Sequence, residues 1–231
     1  LLANKAEDSL GSAFFWLCAF WFVYCARPED FIPGLKYIPL AKITGLFTLI
    51  ALVSSAGKTK RGLKDLPREG RYLIALTCFL VCTSVISPVW KGGALAHSLD
   101  FSKGTVAWVL TFLLVTTFQR LRRIIFIQAA SVAMVATVSV VKGHNTPRLE
   151  GVLNGMYFNA NDLAFALVLS LPFCLAFFLQ ARGFARKALW MVGMMFMGIA
   201  LVLTASRAGF VCLVISGSVT LWHFGVKGKR P

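Results

Sequence analysis

Long apolar runs separated by short polar stretches recur along the whole chain. Eight of them fall near residues 9–26, 38–56, 72–90, 104–118, 124–141, 163–180, 188–204 and 208–224. Most approach the roughly 20 apolar residues a helix needs to cross a bilayer core at about 1.5 Å per residue, and the run at 104–118 is the shortest. Hydrocarbon offers no partner to a backbone N–H or C=O, so each run is predicted to be an α-helix that satisfies its own peptide groups. The predicted fold is all-α, a polytopic transmembrane bundle of about eight spans.

The connections carry their own signals. Pro28 and Pro33 forbid a continuous helix through R-P-E-D-F-I-P-G-L-K-Y-I-P, and Pro39 suits the opening turn of the second span. Phe31, Ile32, Leu35 and Tyr37 suit that connection to the headgroup region, as a surface connector or a substrate contact. The stretch K-G-G-A-L-A-H-S-L-D-F-S is expected to be an outer loop, with His97 and Asp100 on a solvated turn or acting as an acid–base pair. Ala129, Ala133 and Ala136, with Ala130, Ser131 and Thr137, give the fifth span small faces for close helix contact. Pro172 lies mid-span in the sixth, where it can kink the helix.

Composition agrees with the pattern: 58% of the 231 residues are hydrophobic, and the mean hydropathy is +0.74. A formal net charge of +15 raises nucleic acid as a partner, but its placement argues for a bilayer. Sixteen of the 24 basic residues fall on one side of an alternating topology, chiefly around 58–71, 120–123, 182–187 and 227–230. That asymmetry predicts both termini in the cytoplasm, with membrane lipids and no nucleic acid as partners. The six cysteines lie in or beside spans without the His or acidic neighbours a metal site needs. No metal and no cofactor is expected.

Two arginines break the rule that outer loops are poor in basic residues. Arg148 opens R-L-E-G-V-L-N-G-M-Y-F-N-A-N-D before the sixth span, and Arg207 lies in T-A-S-R-A-G, a very short turn between the seventh and eighth. Asn161 or Asp162 can cap the sixth helix and Ser206 the eighth, which would turn two positive helix ends outward. With two guanidiniums these ends form a site for a phosphate or diphosphate at headgroup depth. Gly151 and Gly155 permit close backbone approach, and Asn159, Asn161, Asp162 and Ser206 shape or cap the site. Without a ligand, the same residues amount to capped helices and two arginines facing lipid headgroups.

These residues carry a resemblance. R-L-E-G…N-A-N-D-L-A-F-A-L, followed one hairpin later by L-T-A-S-R-A-G, resembles the O-antigen ligase and polymerase superfamily of bacterial inner membranes. The early R-P-E-D-F-I-P-G-L…I-P-L-A-K-I is similar to one branch, the exosortase-A-associated putative O-glycosylation ligases. The resemblance runs from about Trp16 to Phe224. It implies metal-independent glycosyl transfer on the periplasmic face of the bacterial inner membrane, from an undecaprenyl-diphosphate-linked glycan donor to a hydroxyl acceptor on lipid A core, a glycan or a protein. Arg148 and Arg207 occupy the positions that bind the donor's diphosphate in the family. The family often has Pro or Asn where Ala160 stands.

The resemblance also implies a large periplasmic loop downstream whose histidine acts as base; His97, His144 and His223 do not occupy that position. The chain opens on Leu1-Leu2 and closes on Gly228-Lys229-Arg230-Pro231 directly after an apolar run, the pattern of a piece of a longer protein. A single membrane domain is expected over 1–231, with branch-typical spans in 1–145 and the start of the ligase-like core in 146–231. The expectation is the donor-binding part of a glycan ligase, inactive alone. A transporter or flippase of a lipid-linked anionic glycan, or a non-catalytic polysaccharide-assembly subunit, are the alternatives. A transporter would favour ionisable residues at mid-membrane, where these spans offer chiefly Gln128, Ser, Thr and Cys.

Overall fold

A computed structural model describes residues 10–32, 34–55, 62–87, 90–142, 148–150, 157 and 159–222. Within them the chain forms eight α-helices and no strand. They are α1 (Gly11–Ala26), α2 (Leu40–Ser54), α3 (Arg68–Ile86), α4 (Lys91–Leu114), α5 (Phe118–Lys142), α6 (Ala160–Gln180), α7 (Phe184–Leu203) and α8 (Arg207–Thr220). Four of these, α3, α5, α6 and α7, are long and apolar enough to cross a membrane. Helices α1, α2 and α8 are apolar but shorter.

The fourth helix differs from expectation. The stretch K-G-G-A-L-A-H-S-L-D-F-S is not a loop: it forms the first half of α4, which spans 24 residues. His97 and Asp100 therefore sit on a helix, and Asp100 pairs one turn on with Lys103 rather than with His97. Local sequence permits this helix, since no residue of 91–114 is a proline and Gly92 and Gly93 sit in the first turn, and Thr77 and Ser84 of α3 supply the hydroxyl partners that α4 meets.

The described chain divides into two compact units, one of Leu1–Phe20 with Ala41–Leu121 and one of Trp21–Leu40 with Arg122–Pro231. The first unit is built on α3 packed against α4. Here α3 buries Gly70, Thr77 and Ser84, one residue every seven, and exposes Tyr72, Phe79 and Ile86. Facing them on α4 are Trp108, Thr105 and Ser98. The indole of Trp108 fills the space a Cβ at Gly70 would occupy. Thr77 Oγ1 and Thr105 Oγ1 lie 2.7 Å apart, and the hydroxyls of Ser84 and Ser98 are also hydrogen-bonded. A seven-residue repeat is two turns of helix, so the seam stays on one stripe and lets the two backbones approach closely.

Polar atoms inside and large apolar side chains outside invert the arrangement water imposes. Phe79 is 63% exposed and Ile86 78% exposed. In water that apolar surface would cost about 25 cal/mol per Å2; in hydrocarbon it costs nothing, and the hydroxyls are the groups that need shelter.

In the second unit α6 packs against both α7 and α8. Its core joins Ala129, Val132 and Ala136 of α5 to Leu163, Leu167 and Cys174 of α6 and Met197, Ala200 and Leu201 of α7. Small side chains set the spacing. A Cβ at Gly193 would meet Ala133 Cβ at 3.3 Å, and the Cys174 thiol lies 3.8 Å from the Ala129 carbonyl. Ala129, Ala133, Ala136 and Ser131 are buried, whereas Ala130 and Thr137 are half-buried.

Buried hydroxyls in the two units give opposite expectations. Thr77→Val removes the bond to Thr105 and should lower the unfolding free energy of the reconstituted protein by about 0.6–1.7 kcal/mol. Ser170 is fully buried, and its hydroxyl has no hydrogen-bond partner among the described residues. Ser170→Ala should leave stability unchanged or raise it by about 1 kcal/mol, because the hydroxyl it deletes is unsatisfied. Denaturant titrations of the two variants check both signs.

Candidate functional site

The segment Arg148–Glu150, the start of α6 and the turn between α7 and α8 meet at one end of the second unit. The backbone fastens first: Leu149 N–H donates to the Leu203 carbonyl at 2.9 Å, and the Leu149 side chain is wholly buried in the core. That anchor delivers Arg148. Its Nε donates to the Thr204 carbonyl at 2.8 Å and its Nη2 to Asn161 Oδ1 at 3.1 Å.

Asn161 Oδ1 also accepts from Ser206 Oγ at 2.9 Å, and Ser206 Oγ in turn accepts from the Gly209 N–H at 3.2 Å. A continuous hydrogen-bond chain thus runs from Arg148 through Asn161 and Ser206 into the first turn of α8. The guanidinium makes the Asn161 bond charge-assisted, about twice as strong as a neutral one. With two donors on Oδ1, the amide nitrogen of the exposed Asn161 is left with two N–H donors.

The caps differ from part of the expectation. Asn159, not Asn161 or Asp162, is the N-cap of α6, and its side chain accepts from the Asn161 N–H at 3.0 Å. Asp162 sits exposed in the first turn, where its charge favours the helix dipole; the described residues show it neither capping nor orienting an arginine. Ser206 is the N-cap of α8.

The two helix ends are also not equivalent. The Asn159 carbonyl accepts from the N–H groups of Asp162 and Leu163, so the first turn of α6 is largely satisfied. At α8 the Gly209 and Phe210 N–H groups are bound within the turn, and those of Arg207 and Ala208 have no acceptor among the described residues. Arg207, the first residue of α8, is exposed and makes no hydrogen bond or ion pair among them. Arg148 is therefore a fixed cation and Arg207 an available one.

The turn that presents Arg207 is under strain. Ala205 has φ +48°, the left-handed region that costs a residue with a Cβ about 1–2 kcal/mol. The Ala205 N–H donates to Val202 at 3.0 Å, and the Thr204 N–H to Ala200 at 2.9 Å. These bonds, with Arg148 on the Thr204 carbonyl, hold it in place. Gly209 is required for another reason: a Cβ there would lie 2.9 Å from Ala164 Cβ, so glycine lets α8 reach α6.

Several residues at this end were not singled out as site residues from sequence. The connector after α1 belongs to this unit. The Tyr157 hydroxyl donates to the Cys25 carbonyl at 3.2 Å, Lys142 Nζ stands 5.5 Å from the Phe31 ring centre, and Arg27 pairs with Glu29 at 3.7 Å. The signal was an aromatic pair, Tyr157 and Phe158, directly before the N-A-N-D stretch, and dense charge beside the prolines of R-P-E-D-F-I-P. Gly151 and Gly155 lie outside the described residues. No group of three or more potential metal-ligating side chains occurs among the described residues.

No protein-family model, no curated protein and no solved structure matches this chain. The chemistry the arrangement offers is anion binding, by an oriented guanidinium, a second exposed one, the free amide of Asn161 and two N–H groups of α8.

Two substitutions test the network. Asn161→Ala removes both bonds to Oδ1 and is expected to lower stability by about 2–3 kcal/mol; thermal unfolding of the reconstituted protein reads this, and no loss would mean that Arg148 is held without Asn161. Burial pushes the Tyr157 phenol above its ordinary value near 10. Because the folded form holds that proton more tightly, its contribution is complete below pH 10 and is lost as the pH rises further. Stability of the native chain should therefore fall more steeply above pH 10 than that of Tyr157→Phe.

Proposed function

We propose that this chain is the donor-binding part of an integral-membrane glycan ligase, with Arg148 and Arg207 engaging the diphosphate of an undecaprenyl-diphosphate-linked glycan. The observation that carries the reading is the bond from Arg148 to the Thr204 carbonyl and to Asn161. It brings together R-L-E-G, N-A-N-D and T-A-S-R-A-G, the three pieces of sequence on which the ligase resemblance rests. In this reading the eight helices are eight spans with both termini cytoplasmic, and the Arg148 end faces the periplasm of a bacterial inner membrane.

The roles follow from the geometry. Arg148, held by the Thr204 carbonyl and Asn161, places its positive charge beside one phosphoryl group. Arg207 folds over the second, and the Arg207 and Ala208 N–H groups add a positive helix end. Charge builds on the diphosphate as the glycosidic bond to it breaks, so cations already in place lower that barrier without reorganising. The acceptor hydroxyl belongs to lipid A core, a glycan or a protein, and no metal ion is needed to neutralise the leaving group.

The test is binding of undecaprenyl diphosphate to the protein reconstituted in zwitterionic nanodiscs. Arg207→Ala should weaken binding about tenfold or more, while leaving stability unchanged because the exposed Arg207 side chain makes no hydrogen bond or ion pair among the described residues. Arg207→Lys should restore part of the loss. Equal affinity of native protein and Arg207→Ala for the diphosphate sinks the assignment.

A further inference from the structure

The opposite end of the second unit carries a concentration of positive charge that the donor site does not use. Three aromatic rings define the place. Phe177 of α6 and Trp190 of α7 stack at 5.3 Å between centres, and Phe126 of α5 meets both edge-on, at 5.3 and 5.5 Å. This triad locks the start of α5, the end of α6 and the start of α7 together.

Helical register then fixes which cations come with it. Arg122 and Arg123 lie one turn before Phe126, and Arg186 and Lys187 one turn before Trp190. Arg182 stands in the turn that links α6 to α7, five residues after Phe177. All five are exposed, and among the described residues none of their side chains makes an ion pair or hydrogen bond. The described acidic side chains of this unit, Glu29, Glu150 and Asp162, belong to the Arg148 end, about 30 Å away along α6.

Five unopposed cations in one place repel one another unless an anion is present. They fall in two groups, a pair on α5 and a trio at the α6–α7 turn, and each group contains guanidiniums able to take a phosphate through paired N–H donors. Beside them Leu179 is 59% and Leu189 72% exposed, an apolar flank to the polar edge. A nucleic acid or acidic peptide would leave that flank uncovered, whereas a phospholipid satisfies both faces at once.

We propose that this end of the α5–α6–α7 triad is a binding site for a phospholipid whose headgroup carries two phosphates, one held by Arg122 and Arg123 and the other by Arg182, Arg186 and Lys187. The acyl chains lie along the Leu179 and Leu189 flank. The site is independent of the donor-binding reading, since it uses other residues at the other end of the helices.

Native mass spectrometry of the full chain, released from zwitterionic nanodiscs doped with a two-phosphate phospholipid of the diphosphatidylglycerol type, tests this. One lipid per chain should be retained, and soluble glycerophosphate should not displace it. The Arg122→Gln, Arg123→Gln, Arg186→Gln triple variant should bind on the order of a hundredfold more weakly, at unchanged thermal stability before lipid is added. A variant with Lys at those three positions should keep at least a tenth of the affinity. Arg68→Gln with Arg71→Gln, two cations of the other unit, should change nothing. The proposal is overturned if the triple Gln variant retains the lipid as native protein does. It is also overturned if a single-phosphate phospholipid at twice the molar fraction binds equally well, or if Arg68 and Arg71 prove as important.

Discussion

A polar atom surrounded by hydrocarbon is best placed with a partner inside the protein, and the hydroxyl seam of α3 and α4 and the network around Asn161 both follow from that constraint. In the first unit the answer is a seam: threonine and serine at seven-residue spacing on α3 face threonine and serine on α4, and large apolar residues turn outward. In the second it is a knot, in which a single side-chain oxygen, Asn161 Oδ1, accepts from Arg148 and Ser206 together. Both devices let backbones come close without leaving donors stranded.

The knot also explains how a strained turn persists. Ala205 in the left-handed region would relax in isolation, but the carbonyl before it is held by Arg148 and the hydroxyl after it by Asn161. Strain at that point serves to begin α8 with only three residues, Thr204 to Ser206, after the end of α7, so that Arg207 emerges beside the α6 N-terminus. Gly209 completes the arrangement by admitting Ala164 at contact distance. A rigid guanidinium and an exposed one then differ in role: the first organises the loops, and the second remains free to meet an anion.

Charge is sorted between the ends of the second unit in a related way. At the Arg148 end cations coexist with Glu29, Glu150 and Asp162. At the end marked by Phe126, Phe177 and Trp190, five cations stand without a described carboxylate of the same unit nearby.

Periodic apolarity alone was enough to locate eight helices, because run length and the absence of charge are local properties that hydrocarbon reads directly. Arg148 and Arg207 were legible for a similar reason, as basic residues placed against the general asymmetry of charge. The first half of α4 was not legible, since Lys91, His97, Asp100 and Lys103 look like a loop until a helix partner supplies Thr77 and Ser84. Nor could the order of residues show that the Trp21–Leu40 connector joins a unit made of Arg122–Pro231, or that Asn159 caps α6 and so frees Asn161 to bind Arg148. Those outcomes depend on which donors and acceptors meet in space across separations such as the 45 residues between Asn161 and Ser206, and only the packed helices decide that.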